Sequence, residues 1–171
     1  MDCPGTALEA TPTLGRFLYY KILTAVPVFA ALVAIARHAE AFYWPFVYIG
    51  VCLLHAGIMF TIKCPHCAYY KLAGKKHRCF IWWGVPKIYK PRTGLEPRFV
   101  GIYAPIGMLV LTFFPVYWLW SDWVLLVVYF LSVAGLVLSI GMHQCPRCLN
   151  FDCSHNQVPE DVRDQYMKSV A

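Results

Sequence analysis

Charged side chains are scarce in this sequence. Of its 171 residues, 14% are Asp, Glu, Lys or Arg, whereas 59% are hydrophobic and 16% are aromatic. A soluble domain of this size needs roughly a quarter of its residues charged to cover its surface. The composition therefore excludes an ordinary soluble globule, and the abundance of apolar residues also excludes a disordered chain.

Signatures of enzyme active sites are missing as well. The chain has only 9 Asp and Glu residues, and they form no paired-carboxylate pattern. It has no glycine-rich nucleotide-binding loop, no HExxH motif and no nucleophile elbow. The segment 1–15 contains no basic region followed by an apolar run and a cleavage site, so no cleavable signal is predicted. We expect no catalytic activity from the chain alone, and we expect its first apolar helix to direct membrane insertion.

Four long apolar blocks dominate the rest of the sequence. A helix needs about 20 apolar residues to cross the ~30 Å hydrocarbon layer, because each residue rises ~1.5 Å. The blocks of this length are Phe17–Ala36, Phe42–Ile62, Phe99–Trp120 and Trp123–Met142. Short polar breaks join the blocks in pairs, and aromatic residues gather at both breaks, where amphipathic rings prefer the membrane interface. The sequence predicts an all-α integral membrane protein with four transmembrane helices arranged as two hairpins.

The placement of lysine and arginine predicts the orientation in the membrane. The stretch 63–98 is rich in both and holds a single acid, Glu96, whereas the hairpin tips hold only Arg37. Basic loops stay on the cytoplasmic side. We therefore expect a protein of the cytoplasmic membrane, with the central loop, both termini and the cysteine-rich face in the cytoplasm. A basic loop beside membrane spans faces anionic lipid, so we expect no nucleic-acid binding.

The two hairpins carry similar sequences. Leu23–Phe29 in the first helix and Leu111–Tyr117 in the third share the pattern LTxxPV followed by an aromatic residue, and the hairpins end in CPHC and CPRC. We expect a parallel duplication about an axis along the membrane normal, with prolines that loosen helices one and three. Its units are 1–98, with the first hairpin and the basic loop, and 99–171, with the second hairpin and the tail. Chance similarity between apolar segments is the alternative.

A Cys-x-x-Cys turn at the end of each hairpin lets two sulfurs face one point. The proline after the first cysteine fixes φ in that turn. Four thiolates brought together by the two halves would form the closed tetrahedral site that structural zinc prefers and that mononuclear iron also uses. The candidate ligands are Cys64, Cys67, Cys145 and Cys148. Cysteine pairs in a reducing compartment are more often metal-binding or catalytic than disulfide-bonded.

These two turns resemble the CPxC knuckles of zinc ribbons and rubredoxins. The likeness is confined to the two tetrapeptides. It departs from both families in the helices inserted between the knuckles and in the missing glycine after the second cysteine, where this chain has Ala68 and Leu149. The resemblance implies metal binding without choosing between zinc and iron, and it identifies no homologous family for the whole chain.

Further candidate ligands follow each knuckle. They are His77 and Cys79 after the first, and Cys153 and His155 after the second. They either form a second metal site or lie outside the coordination sphere of the first ion, and His77 is alternatively a solvated loop residue. Cys52 and His55 lie one turn apart inside helix two, where an ionisable side chain is a functional candidate. The alternative is a neutral His55 that is hydrogen-bonded across the bundle, with Cys52 as a packing residue.

An aromatic segment, Phe80–Pro86, interrupts the basic loop. It is too short to span a membrane and too apolar for water, and lysines flank it on both sides. We expect it to lie in the membrane interface. A docking surface for a partner is the alternative.

The expected function follows from the spans and the cysteines. We expect a membrane protein with a tetracysteine site for zinc or rubredoxin-like iron, serving as an accessory, anchoring or electron-relay subunit of a larger membrane complex. One alternative is a soft-metal transporter. The other is a membrane thiol-disulfide oxidoreductase, because CPHC is also the active-site tetrapeptide of a periplasmic disulfide-oxidant family that resembles thioredoxin.

Overall fold

A computed structural model describes residues 8, 12–72, 74–92, 98–151, 153 and 155–170. Most of the segment 1–15, in which no cleavable signal is predicted, and Glu96 of the basic loop lie outside the described residues.

The chain is mainly helical. The helices are α1 Leu14–His38, α2 Trp44–Ile58, α3 Ala68–Lys71, α4 Arg98–Phe113, α5 Val116–Leu119, α6 Trp123–Ser139 and α7 Glu160–Val170. Two short strands, β1 Lys76–Arg78 and β2 Trp83–Pro86, form an antiparallel hairpin between α3 and α4.

The prediction of four long apolar helices is confirmed. The described part of the chain contains four helical stretches that are long and apolar enough to cross a membrane: Leu14–His38, Trp44–His66, Phe99–Leu119 and Trp123–Arg147. The second and fourth extend beyond their predicted ends, into the cysteine turns. Pro65 and Pro146 lie in the first turn of the 3-10 segments that end these two stretches, where a residue needs no amide donor.

Helix α1 packs most extensively on α6, across the boundary between the two hairpins. Ala30, Ala31 and Ala34 of α1 are buried, and their small side chains allow the two backbones to approach closely. Buried aromatic side chains fill the space nearer the hairpin tips. The core consists of Ala30, Ala31, Ala34, Ile35, Tyr48, Trp118, Leu119 and Tyr129.

The two prolines of the shared LTxxPV pattern have different effects. Helix α1 continues through Pro27, whereas α4 ends at Phe113 and a turn precedes Pro115. Pro115 has no amide hydrogen, so the carbonyl of Leu111 has no helical donor four residues later. The hydroxyl of Tyr129 replaces that donor, at 3.4 Å from the oxygen of Leu111 and 2.9 Å from that of Thr112. The predicted loosening is therefore found in the third helix, and for the first helix it stays a prediction.

Replacing Tyr129 by Phe should leave these two carbonyls without their donor. We expect a loss of about 1–2 kcal/mol in the free energy of unfolding, because a buried acceptor loses its partner. Thermal unfolding of the detergent-purified protein measures this loss. Tyr117→Phe is the matched control, because Tyr117 is 79% exposed at the hairpin tip. Equal stability of the two variants would contradict the prediction.

The aromatic segment is packed against the start of α1. The ring of Phe80 lies 5.1 Å from that of Tyr20, and the ring of Trp83 lies 6.0 Å from that of Phe17. Gly84 at the beginning of β2 has a φ of 77°, which favours glycine. The rings of Phe80 and Trp83 thus have partners within the chain, whereas Ile81 at the turn is exposed. The interfacial position of this hairpin stays a prediction.

Candidate metal centre

The two hairpins end in the same local structure. After α2 the chain forms a π turn, Met59–Lys63, and then a 3-10 turn, Cys64–His66. After α6 it forms a π turn, Ile140–Gln144, and then a 3-10 turn, Cys145–Arg147. In each case the amide of the second cysteine donates to the carbonyl of the first, at 3.0 and 3.4 Å. The conformation around the two CPxC motifs is therefore repeated.

The first half carries three cysteines in and after its knuckle, which are Cys64, Cys67 and Cys79. The β-hairpin carries Cys79 back to the knuckle, and its Sγ accepts from the amides of Ile81 at 3.4 Å and Trp82 at 3.1 Å. Bonds of this kind orient a sulfur and stabilise its thiolate form.

The second half also carries three cysteines in and after its knuckle, which are Cys145, Cys148 and Cys153. The loop between the last two is folded back, because the side-chain amide of Asn156 donates to the carbonyls of Cys148 at 2.9 Å and Asn150 at 3.0 Å. The amide of Asn150 donates to Cys148 Sγ at 3.5 Å, which repeats the amide–sulfur contact of the first half.

The segments that follow the two knuckles lie side by side, and Cys148 adds to the effect of burial that raises the pKa of Cys67. A hydrogen bond between the amide of Ala68 and Asn150 Oδ1, at 3.3 Å, joins the same two segments. The buried Tyr69 of the first half also hydrogen-bonds to the sulfur of Cys148. The structure thus joins the segments that follow the two knuckles.

Burial dominates the titration of these thiols. It raises the pKa of Cys67 to about 12, and the neighbouring Cys148 and Cys79 add to this effect. Burial also raises the pKa of Cys79 and Cys148, in part against the amide–sulfur hydrogen bonds. A bound divalent cation would lower the pKa of these thiols, because a coordinated thiol is deprotonated.

The sulfurs do not converge on a single point. Among the residues that the structure describes, no group of three or more His, Cys, Asp or Glu side chains is arranged to hold a metal ion. The described cysteines are free thiols. Metal–sulfur bonds of ~2.3 Å would require the Sγ atoms to rotate toward one another.

The two histidines beyond the knuckles lie in different surroundings. His77 is buried, with its ring 5.0 Å from Tyr70 and 6.4 Å from Phe60. Burial and the ammonium of Lys87 lower its pKa to about 4. The interpretation of His77 as a solvated loop residue is therefore wrong, and its ring neighbours are aromatic side chains. His155 is exposed.

His55 lies inside the second span, in a space made by Gly107. Its ring stacks on Tyr103 at 5.5 Å, and a Cβ atom at position 107 would lie 2.5 Å from His55 Nδ1. Within the described chain, Nδ1 has no hydrogen-bond partner, so the expected bond across the bundle is not formed by this atom. Cys52 packs against the core, as a packing residue would.

Replacing Gly107 by Ala should force α2 and α4 apart. We expect a loss of about 1–3 kcal/mol in the free energy of unfolding, because an added methyl group at a tight contact displaces its neighbours. Gly135→Ala is the control, because a Cβ atom there meets open space. Thermal unfolding in detergent should separate the two variants. A Gly107→Ala protein as stable as the control would contradict this contact.

Comparison with known proteins adds no relative. The chain matches no protein-family model, no curated protein and no solved structure. The likeness to zinc ribbons and rubredoxins is thus limited to the two tetrapeptides.

Proposed function

We propose that this chain is an integral membrane protein that binds a soft metal ion through Cys64, Cys67, Cys145 and Cys148, and that the ion holds its two hairpins together. The hydrogen bond between the amide of Ala68 and Asn150 Oδ1, which joins the segments that carry Cys67 and Cys148, is the observation that carries the proposal. These cysteines are 81 positions apart in the sequence, and each follows the same helical ending. A shared ion is the simplest chemistry that uses both.

The exposed surface of the helices supports a position in lipid. Ile22, Phe29, Leu53 and Leu131 are each more than 60% exposed. Side chains of this kind need an apolar solvent. The lysines and arginines of the central loop favour a cytoplasmic location for the end of the bundle that carries the cysteines.

Zinc and iron give the site different roles. Zinc has no redox chemistry, so a zinc site would be structural. Iron would make the site a one-electron relay between a cytoplasmic donor and a quinone or partner subunit. In either case the small chain serves as an accessory or anchoring subunit of a larger membrane complex, because no catalytic signature accompanies the site.

The two alternative functions lack a supporting observation. A transporter needs ligands along a path through the membrane, and the candidates at depth are Cys52 and His55, which pack against the core and Tyr103 respectively. A thiol-disulfide oxidoreductase needs a reactive thiolate, whereas burial raises the pKa of Cys67 to about 12.

Metal analysis of the detergent-purified full chain tests the proposal. We expect bound zinc or iron in the native protein, and loss of metal in both Cys64→Ser and Cys145→Ser. Cys52→Ser is the matched control and should retain its metal. Strong visible absorbance would identify ferric tetrathiolate, and its absence with bound metal would identify zinc. Metal that is absent from the native protein, or unaffected by either variant, would refute the proposal.

A further inference from the structure

A single cation lies inside the first apolar block. Lys21 is the one charged residue of the block Phe17–Ala36. Its ammonium nitrogen lies 5.5 Å from the ring centre of Phe17 and 5.5 Å from that of Trp82. Helical side chains lean toward the start of their helix, so Lys21 extends toward the end of the bundle that carries the cysteines. The two ring contacts place its charge between α1 and the β-hairpin.

A second cation contacts the same group of aromatic rings. Arg78 of β1 is exposed, and its guanidinium carbon lies 5.8 Å from the ring centre of Trp83. The ring of Trp83 in turn lies 6.0 Å from that of Phe17, which Lys21 contacts. Aromatic faces attract cations but carry no net charge. The rings therefore hold the two positive charges without neutralising them.

Neither cation is paired with a carboxylate of the described chain. Asp122, at the opposite end of the bundle, is paired with Arg37 at 3.4 Å, whereas no described acid forms such a pair with Lys21 or Arg78. A cation beside the hydrocarbon layer is costly unless an anionic group lies close to it. An anion from outside the chain would supply that group.

An apolar groove begins one helical turn beyond Lys21. It runs between α1 and α6, and its walls include Ala25 and Phe29 of α1 and Leu125 and Val128 of α6. Its volume of about 440 Å³ lies within the range of ~300–1,000 Å³ that is usual for ligand sites. Lys21 and Ala25 share a face of α1 because they are four residues apart. A cation and an apolar groove thus follow each other along one helix.

We propose that this surface binds one anionic phospholipid, with its phosphate at Lys21 and Arg78 and one acyl chain in the groove between α1 and α6. A lipid has both the charge that the cations lack and the chain that the groove accommodates. The inference rests on the membrane position in the proposed function, and it does not depend on the metal site.

The surroundings of Lys21 favour a lipid over a soluble anion. Leu18 and Ile22, on either side of it along α1, are exposed apolar residues. In a membrane, this part of the helix surface faces lipid, so a phospholipid headgroup reaches the ammonium more readily than a soluble polyanion does. The basic stretch 63–98 also attracts anionic lipid to this end of the bundle.

Native mass spectrometry of the detergent-purified full chain tests the headgroup contacts. The protein is titrated with phosphatidylglycerol or with phosphatidylcholine of the same acyl chains. We expect the native protein to bind phosphatidylglycerol about tenfold more tightly, and we expect Lys21→Gln and Arg78→Gln each to weaken that binding about fivefold. Lys90→Gln is the control, because it removes the same charge from another exposed position. Lys21→Arg keeps the charge and should retain the affinity.

A second pair of variants tests the groove. Ala25→Phe adds a ring where the acyl chain would lie, so we expect it to weaken the binding of phosphatidylglycerol. Ala36→Phe adds the same ring to an exposed position of α1 outside the groove and should bind as the native protein does. Glycerophosphoglycerol, which is the headgroup without its acyl chains, should not displace the lipid at equal concentration.

The opposite results would overturn the inference. Equal affinity of the native chain for the two lipids would do so without the use of any variant. Lys21→Gln and Arg78→Gln proteins that bind like Lys90→Gln would remove the headgroup site. Displacement by glycerophosphoglycerol, or equal binding by Ala25→Phe and Ala36→Phe, would remove the acyl-chain site.

Two further measurements separate this inference from the proposed function. Bound metal in a native protein that does not distinguish the two lipids would overturn the lipid site and leave the metal site intact. Release of the chain from membranes by alkaline carbonate would refute the membrane position, and with it both proposals.

Discussion

Replacing either Cys67 or Cys148 by Ser is expected to release bound metal. When free metal is about a thousand times its Kd, the free energy of unfolding should fall by about 4 kcal/mol. The segments that carry these residues are joined by the hydrogen bond between the amide of Ala68 and Asn150 Oδ1. Removal of one sulfur opens the site, and the binding energy that stabilised the folded state is lost. Thermal unfolding in detergent with a fixed free zinc concentration measures the effect.

The double variant and a chelator provide the controls for this prediction. If both cysteines bind the same metal centre, Cys67→Ser/Cys148→Ser should be hardly less stable than either single variant, because one substitution already removes the shared interaction. With a chelator in excess, the native protein should lose most of its advantage over all three variants. Additive losses, or losses that persist undiminished in chelator, would contradict a shared metal centre.

Replacing Ala34 by Phe should separate α1 from α6 and prevent the hairpins from packing. Ala34 has no exposed surface and belongs to the core. A ring at this position exceeds the available space, and overpacking costs about 1–3 kcal/mol or more. We expect a markedly lower midpoint of thermal unfolding in detergent, and we expect proteolysis to cut the chain sooner.

A matched substitution on the same helix tests whether the effect comes from packing. Ala36 is exposed and lies two residues after Ala34, so Ala36→Phe adds the same ring where lipid can accommodate it. We expect near-native stability for this variant. Equal destabilisation by the two substitutions would show that α1 does not pack on α6 as the structure describes.

The sequence predicts the four apolar helices because one property, a long apolar run, determines them. It predicts their ends less well. Cys64–His66 and Cys145–Arg147 continue the helices as 3-10 turns, and hydropathy has no signal for a π turn followed by a 3-10 turn. The effects of Pro27 and Pro115 also differ, because the surrounding helices decide whether a proline interrupts a helix.

The candidate site was predictable in part. The CPxC spacing identifies Cys64, Cys67 and their counterparts, since neighbours in the sequence form each pair. The place of Cys79 depends on a β-hairpin that brings it back to the knuckle, and no periodicity in so short a segment predicts that contact. The available signal was the third cysteine that follows each knuckle. The burial of His77 depends on rings from separate segments, Phe60 and Tyr70, so a local pattern could not reveal it.

X-ray absorption at the metal edge of the purified full chain tests the central claim most directly, because it reports the atoms bonded to the ion. The thiolate site predicts a first shell of four sulfurs at ~2.3 Å. A first shell dominated by nitrogen or oxygen at ~2.0–2.2 Å would contradict it.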